Sequence, residues 1–162
     1  MTQSLDQYRV PATGWGGALA FQPLRGVQVG ADWRFLSGES RERYTFVAGA
    51  PTRLRKAGGN ARTLGVYADA SVDVGDRFTL DGAARIDHWR LSHGVLDERS
   101  MAGAIISDID HPARQGWEPS VSGGLTYRPA DGLALNAKAY RNWRLPTLNE
   151  LYRPYRVGAD AI

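Results

Sequence analysis

The residues best suited to chemistry in this 162-residue chain are its three histidines, His88, His93 and His111, and the carboxylates near them. A structural zinc site needs cysteine or histidine ligands at short, paired spacings. The chain has no cysteine, which excludes both a thiolate metal site and a disulfide framework, and its histidines lack the paired spacing. Asp108, Asp110 and His111 could touch a cation, but a solvated loop accounts for them better. Serine, histidine and aspartate occur without the glycine-flanked serine of a nucleophile elbow. No glycine-rich loop opens a helix to cradle phosphate, and Gly58-Gly59 reads as loop punctuation. The expectation is therefore no enzyme, no catalytic residues, no resident metal and no cofactor.

Basic side chains are the other source of chemistry. The net charge of +3 rests on 18 arginines and 2 lysines. They are spread from Arg9 to Arg156 rather than gathered on one stripe, which argues against nucleic acid as a partner. One stretch is denser, with Arg41, Arg43, Arg53, Arg55, Lys56 and Arg62 against Glu39 and Glu42. On a surface loop, Arg53, Arg55, Lys56 and Arg62 would make an electropositive mouth that draws in an anionic ligand. Contact with anionic lipopolysaccharide, or plain solvation, would use the same charges.

The elements that must position these residues are strands. Mean hydropathy is −0.38, and no apolar run reaches the roughly 18 residues of a spanning helix. That excludes helices alone, because a transmembrane barrel strand shows lipid only every second residue. Leu64, Val66, Ala68, Ala70, Val72 and Val74 alternate with Gly65, Tyr67, Asp69, Ser71 and Asp73, giving one apolar and one polar face. The same pattern marks 27–35 and 78–87, and a weaker form marks 15–21, 121–127 and 133–139. No long helical stripe competes.

The connections between these six strands alternate in length. Phe21-Gln22-Pro23-Leu24-Arg25-Gly26-Val27 and Tyr127-Arg128-Pro129-Ala130-Asp131-Gly132-Leu133 share the form aromatic-x-Pro-x-x-Gly-aliphatic. Proline presets φ at the turn entry and glycine accepts the positive φ that closes it. Val74-Gly75-Asp76-Arg77-Phe78 is a third short turn. Between them lie long polar connections, about 38–62 and 93–116. Outer-membrane barrels have this asymmetry of tight periplasmic turns and longer extracellular loops. Phe21, Phe78 and Tyr127 would share one interfacial depth, and Trp15, Trp33, Phe35 and Trp89 the other. The apolar faces are padded with Gly17, Ala31, Ala68, Ala70, Gly82, Ala84, Gly123, Ala137 and Ala139, which would fill a sandwich core thinly. The opposite face carries Asp32, Arg34, Tyr67, Asp69, Asp73, Asp81, Arg85, Asp87, Asn136 and Lys138, a polar wall suited to a hydrated or plugged lumen. The predicted fold is all-β: an antiparallel up-and-down meander of about six strands from a transmembrane β-barrel.

Alternation stops after the sixth strand, at Arg141-Asn142-Trp143-Arg144-Leu145-Pro146-Thr147-Leu148-Asn149-Glu150-Leu151-Tyr152-Arg153-Pro154. Thr147 and Glu150 have capping-box spacing, and Pro154 stops the helix, so a short helical turn is expected near 147–153. The run Trp143 to Tyr152 resembles the arginine-x-proline-threonine, glutamate-leucine-tyrosine signature of TonB-dependent receptors. Trp117-Glu118-Pro119-Ser120-Val121-Ser122-Gly123-Gly124-Leu125-Thr126-Tyr127 is similar to the strand that usually precedes it.

The resemblance implies a receptor whose twenty-two-stranded barrel encloses an N-terminal plug and imports scarce nutrients, such as ferric siderophores or other metal chelates, with energy passed from the inner membrane. On that basis residues 1–162 are expected to be part of the barrel domain, with no plug, TonB-contacting box or signal peptide among them. Expected partners are outer-membrane lipid, a plug and further barrel strands, with the TonB complex engaged only through a full receptor. The expected location is the Gram-negative outer membrane. Arg144, Pro146, Thr147, Glu150, Leu151 and Tyr152 would then serve the wall's structure rather than touch substrate. A small autonomous outer-membrane barrel and a soluble β-sandwich binding module are the alternatives that alternation also allows.

Overall fold

The computed structural model describes residues 5–154 and the backbone of 156–157 and 160–161. β1 (Leu5–Arg9) and β2 (Ala12–Leu24) both pair with β3 (Val27–Val47), forming one course of chain interrupted at Pro11. Proline offers no N–H to a ladder, so pairing lapses there. β4 (Ala50–Val74) and β5 (Phe78–Ser100) follow. β6 (Ile105–His111) and β7 (Arg114–Ala130) both pair with β5, again one course interrupted at a proline, Pro112. β8 (Leu133–Arg141) completes an antiparallel meander whose six courses match the predicted strands. α1 (Leu148–Tyr152) is the predicted helical turn, and β9 (Arg156–Val157) pairs with β10 (Asp160–Ala161). Among the described residues β2 and β8 pair on one side only, so the sheet is open.

The three short turns lie at one end of the sheet and carry the expected glycines. Gly26 has φ +77°, and a Cβ on it would collide with the Ser71 carbonyl oxygen. No other residue fits that turn without moving the neighbouring strand. At the opposite end the expectation of long loops is corrected. Residues 38–62 and 93–116 are for the most part strand, and the first pair of arms reverses at Ala48-Gly49, whose φ values of 49° and 81° suit a two-residue hairpin. Apolar alternation is weak in these arms because their pairing rests on charge. Arg55 stands opposite Glu42 on one side and Glu98 on the other, and Lys56 stands opposite Asp97. Opposite charges facing across a ladder stabilise it as apolar pairs do. At about 3.3 Å per residue, the 25 residues of β4 run for roughly 80 Å, far beyond the 9–11 that a tilted strand needs to cross a bilayer.

The two faces of the lower sheet differ as predicted. Outward pairs on the β4–β5 hairpin are Val74–Phe78, Val72–Leu80, Ala70–Gly82, Ala68–Ala84 and Val66–Ile86. Large apolar side chains on this face are bare, with Leu19 72% exposed and Trp117 64% exposed. No second sheet covers them among the described residues, so a packed sandwich is not what forms. Trp89, expected at the outer interface, instead turns inward against Gly116, and Trp117 is the ring presented outward. The reason is parity: Trp89 lies one residue from the outward Arg90 and His88, and strand neighbours face opposite ways. Buried residues gather elsewhere, on the inner face of the upper sheet, where Ser40, Glu42, Tyr44, Arg55, Ala57, Ala61 and Leu91 lie close to α1 and Tyr152.

Candidate functional site

After β8 the chain leaves the sheet, and residues 142–153 cross its inner face. The first anchor is Trp143, whose indole Nε1–H donates to Asp87 Oδ2 at 3.1 Å. Asp87 is buried, and its other contacts come from Arg85 on the same strand, at 2.6 to 3.0 Å. The Arg85 guanidinium also forks onto both oxygens of Asp32 on β3, at 2.5 and 3.0 Å. Reaching from β5 to β3 means passing over β4, and the residue there is Gly65. A Cβ on Gly65 would strike the Arg85 guanidinium, so the missing side chain is what lets this bidentate pair form.

The turn itself is held by charge. Glu150 accepts the Thr147 backbone N–H at 2.7 Å, while Glu150 N–H donates to the Thr147 hydroxyl at 3.3 Å. This is the reciprocal capping box, and it satisfies two amides that a helix start leaves free. Arg144 adds two parallel bonds to the Glu150 carboxylate, at 3.0 and 3.1 Å. The Arg144 guanidinium, then the Thr147 amide and hydroxyl, hold the Glu150 carboxyl down at about 2. Pro146 lines a cavity of about 660 Å³ beneath the crossing, together with Pro11, Leu36, Ala61, Trp143 and Leu148.

Tyr152 seats the far end. Its ring lies over Gly59 and Gly94, where any Cβ would overlap it, and beside the His111 ring at a centroid distance of 5.2 Å. Gly94 sits in a bulge: Asn60 pairs with Ser92 but Gly58 with Val95, so β5 carries one extra residue, with His93 at φ 54°. Burying a ring of this size stabilises by roughly 2 kcal/mol. Burial also pushes the Tyr152 phenol up. Next along the chain, Arg153 reaches Glu42 at 2.5 Å. Glu42 is 0% exposed and also meets Arg55 at 3.4 Å and the Ser40 hydroxyl at 2.9 Å. Arg55 in turn donates to Glu98 at 2.6 Å and lies over the Tyr44 ring at 4.3 Å.

The family-signature residues are thus drawn together: Arg144, Thr147 and Glu150 in one network, Pro146 over the cavity, Leu151 half-buried in the turn, and Tyr152 against the sheet. The four basic residues of 53–62 are not. Arg55 is buried between two glutamates on the inner face, and Arg53 is the cross-strand partner of Tyr44. Lys56 points the other way and pairs with Glu39 at 3.2 Å, and Arg62 lies lower on that outward face over the Phe35 ring. Strand alternation separates Asp108 and Asp110 from His111, and no metal-holding group of three occurs among the described residues. Sequence reasoning missed Glu42, Arg153, Gly59 and Gly94. The available signal was Glu42 and Arg55 at matched distances from the Ala48-Gly49 turn. The arrangement clamps chain to wall.

Removing Arg55 leaves Glu42 buried with one of its two cations gone. Arg55→Ala is expected to destabilise the upper hairpin by about 3 kcal/mol, read as faster amide exchange in 40–57, with a smaller effect from Arg153→Ala. Glu150 has a folded value below its unfolded one near 4.3, so its contribution is full above that pH and is lost as pH falls towards 2. Exchange at the α1 amides should therefore rise over that window, and Glu150→Gln should abolish the dependence.

The family described as TonB dependent receptor-like, beta-barrel, matches residues 2–161. No curated protein and no solved structure matched the chain. The match spans nearly every residue, and it agrees with the open antiparallel meander, its bare apolar face and its charged inner wall. The chain belongs to the TonB-dependent receptor-like β-barrel family.

Proposed function

We propose that this chain forms part of the barrel wall of an outer-membrane receptor that imports a scarce nutrient, such as a ferric siderophore or another metal chelate. The observation that carries the reading is the difference between the two faces: apolar and uncovered outside, charged and cross-linked by Arg85 inside. Water on both sides would leave the outer face unexplained, since exposed apolar patches of this extent mark contact with a partner or a membrane. In lipid each unpaired backbone group costs several kcal/mol, so the open edges at β2 and β8 call for further strands that close the barrel. A plug within that barrel would meet the inner wall and the crossing segment, and the TonB complex would act through the whole receptor. Arg144 and Glu150 then hold the crossing in place and do not contact the nutrient.

A matched pair of substitutions tests the membrane setting. Ala68 faces outward near mid-height of the apolar band, whereas Ala83 faces inward on the adjoining strand. Ala68→Arg is expected to cost about 2–4 kcal/mol in unfolding from lipid vesicles, and Ala83→Arg far less. Equal costs would remove the case for lipid on the outer face. For the ligand, Arg53 and Lys56 supply positive potential to the upper hairpin without being buried as Arg55 is. Alanine at both should weaken capture of an anionic ferric chelate at low salt, and the difference should shrink as salt rises. Capture unchanged at every ionic strength would count against an electropositive mouth.

A further inference from the structure

The outward face of the β4–β5 hairpin changes character at one register position. Climbing from the turn, its pairs run from Val74–Phe78 through Val66–Ile86 to Leu64–His88, and the next is Arg62–Arg90. Two exposed arginines are therefore cross-strand partners, and like charges so placed disfavour an antiparallel ladder. Among the described residues no carboxylate forms an ion pair with either. Cations higher on the same face are compensated: Arg41 and Lys56 share Glu39 at 2.5 and 3.2 Å, and Arg99 holds Asp97 at 2.9 Å.

The height of the pair is informative. It lies about a dozen positions up each arm, or about 40 Å of strand and roughly 30 Å of rise at the usual tilt, which is the top of an apolar band. Interfacial rings surround it. Arg62 lies over Phe35 at 5.4 Å, Trp15 packs on Phe35 at 5.7 Å, and exposed Trp117 packs on His88 at 4.7 Å. Directly above is the Asn60–Ser92 pair, and directly below on β4 are Leu64 and Val66.

We infer that Arg62 and Arg90 bind the phosphate of a membrane-lipid headgroup at this boundary. Guanidinium groups take phosphate through two parallel hydrogen bonds, and a shared dianion converts the repulsive pair into a bridged one. The Asn60 amide and Ser92 hydroxyl stand above for the remaining oxygens, while Leu64 and Val66 offer the acyl chains an apolar track. That track selects a lipid phosphate over free phosphate. The inference rests on the outer-membrane reading proposed above.

The test inserts the full-length protein into phosphatidylcholine vesicles containing a minority of diphosphoryl lipid A. The vesicles are floated on a density gradient, and lipid A retained by the protein is counted by native mass spectrometry. Wild type should float and retain lipid A, and R62A/R90A should float but retain roughly thirty-fold less, as expected for the loss of two interfacial cations. Arg41→Ala, whose charge is already paired, should match wild type. R62Q/R90Q makes the same comparison if the alanine pair does not fold, judged by heat-modifiable migration. Retention that is equal with and without the arginines overturns the inference alone, whereas wild type that does not float overturns the membrane reading with it. Displacement of the lipid by excess inorganic phosphate would show a free-anion site and overturn the lipid assignment.

Discussion

A strand in this sheet satisfies its backbone N–H and C=O groups only through its neighbours, and every other feature follows from keeping that ladder in register. The pairing runs unbroken from β3 to β4 over most of their length, and from β4 to β5 with one bulge. A slip of one residue would turn each outward valine or leucine inward and each inward aspartate outward. The tight glycine turns prevent it by locking each hairpin at its lower end, as Gly26 does against Ser71. The ladder is interrupted at Pro11 and Pro112, where no N–H is available, and shifts register at bulges such as the one at His93.

Register also decides what the inner face can hold. Gly65 lies between Asp32 and Asp87 in one cross-strand row, so Arg85 reaches both carboxylates over a gap where any side chain would stand. The bulge at His93 sets Gly94 beside Gly59, and those two glycines make the seat for Tyr152. Beyond it, Glu42 is buried with Arg55 and Arg153. Such a buried cluster gains little net stability over an apolar one, because desolvating the ions offsets their attraction. Its effect here is specificity of place, since only a cation arriving from the crossing segment completes the coordination of Glu42. A ring and a guanidinium from the same short stretch are thereby directed to one position on the wall.

The strands continue well past the apolar band, and the same ladder is stabilised differently in its two parts. Below, apolar side chains stand exposed outside, with Arg141 at the end of β8 an exception, while most charge lies on the inner face. Above, charges occupy both faces and pair across strands, as Arg55 does with Glu98 inside and Lys56 with Glu39 outside. Arg62 and Arg90 mark the change on the outer face. They are the first cations above the band on this hairpin, and among the described residues no carboxylate forms an ion pair with either.

The six strand courses, the short turns and the capped turn at Thr147 and Glu150 were legible in the sequence because each depends on local rules: period-two alternation, the φ of proline and glycine, and spacing within one helical turn. The family was legible from 143–152, a contiguous stretch. The arms at 38–62 and 93–116 were not, since strands paired by charge lack the apolar alternation that marks a strand. Trp89 was misplaced because composition marks a residue as interfacial, while parity decides which face it takes. Glu42 with Arg153, Asp32 with Arg85, and Tyr152 on its two glycines are separated by tens of residues or more. The sequence by itself determined which stretches become strands and which face of each is apolar. Only the tertiary structure decided which distant side chains meet, because cross-strand register and the path of the crossing segment are properties of the assembled sheet.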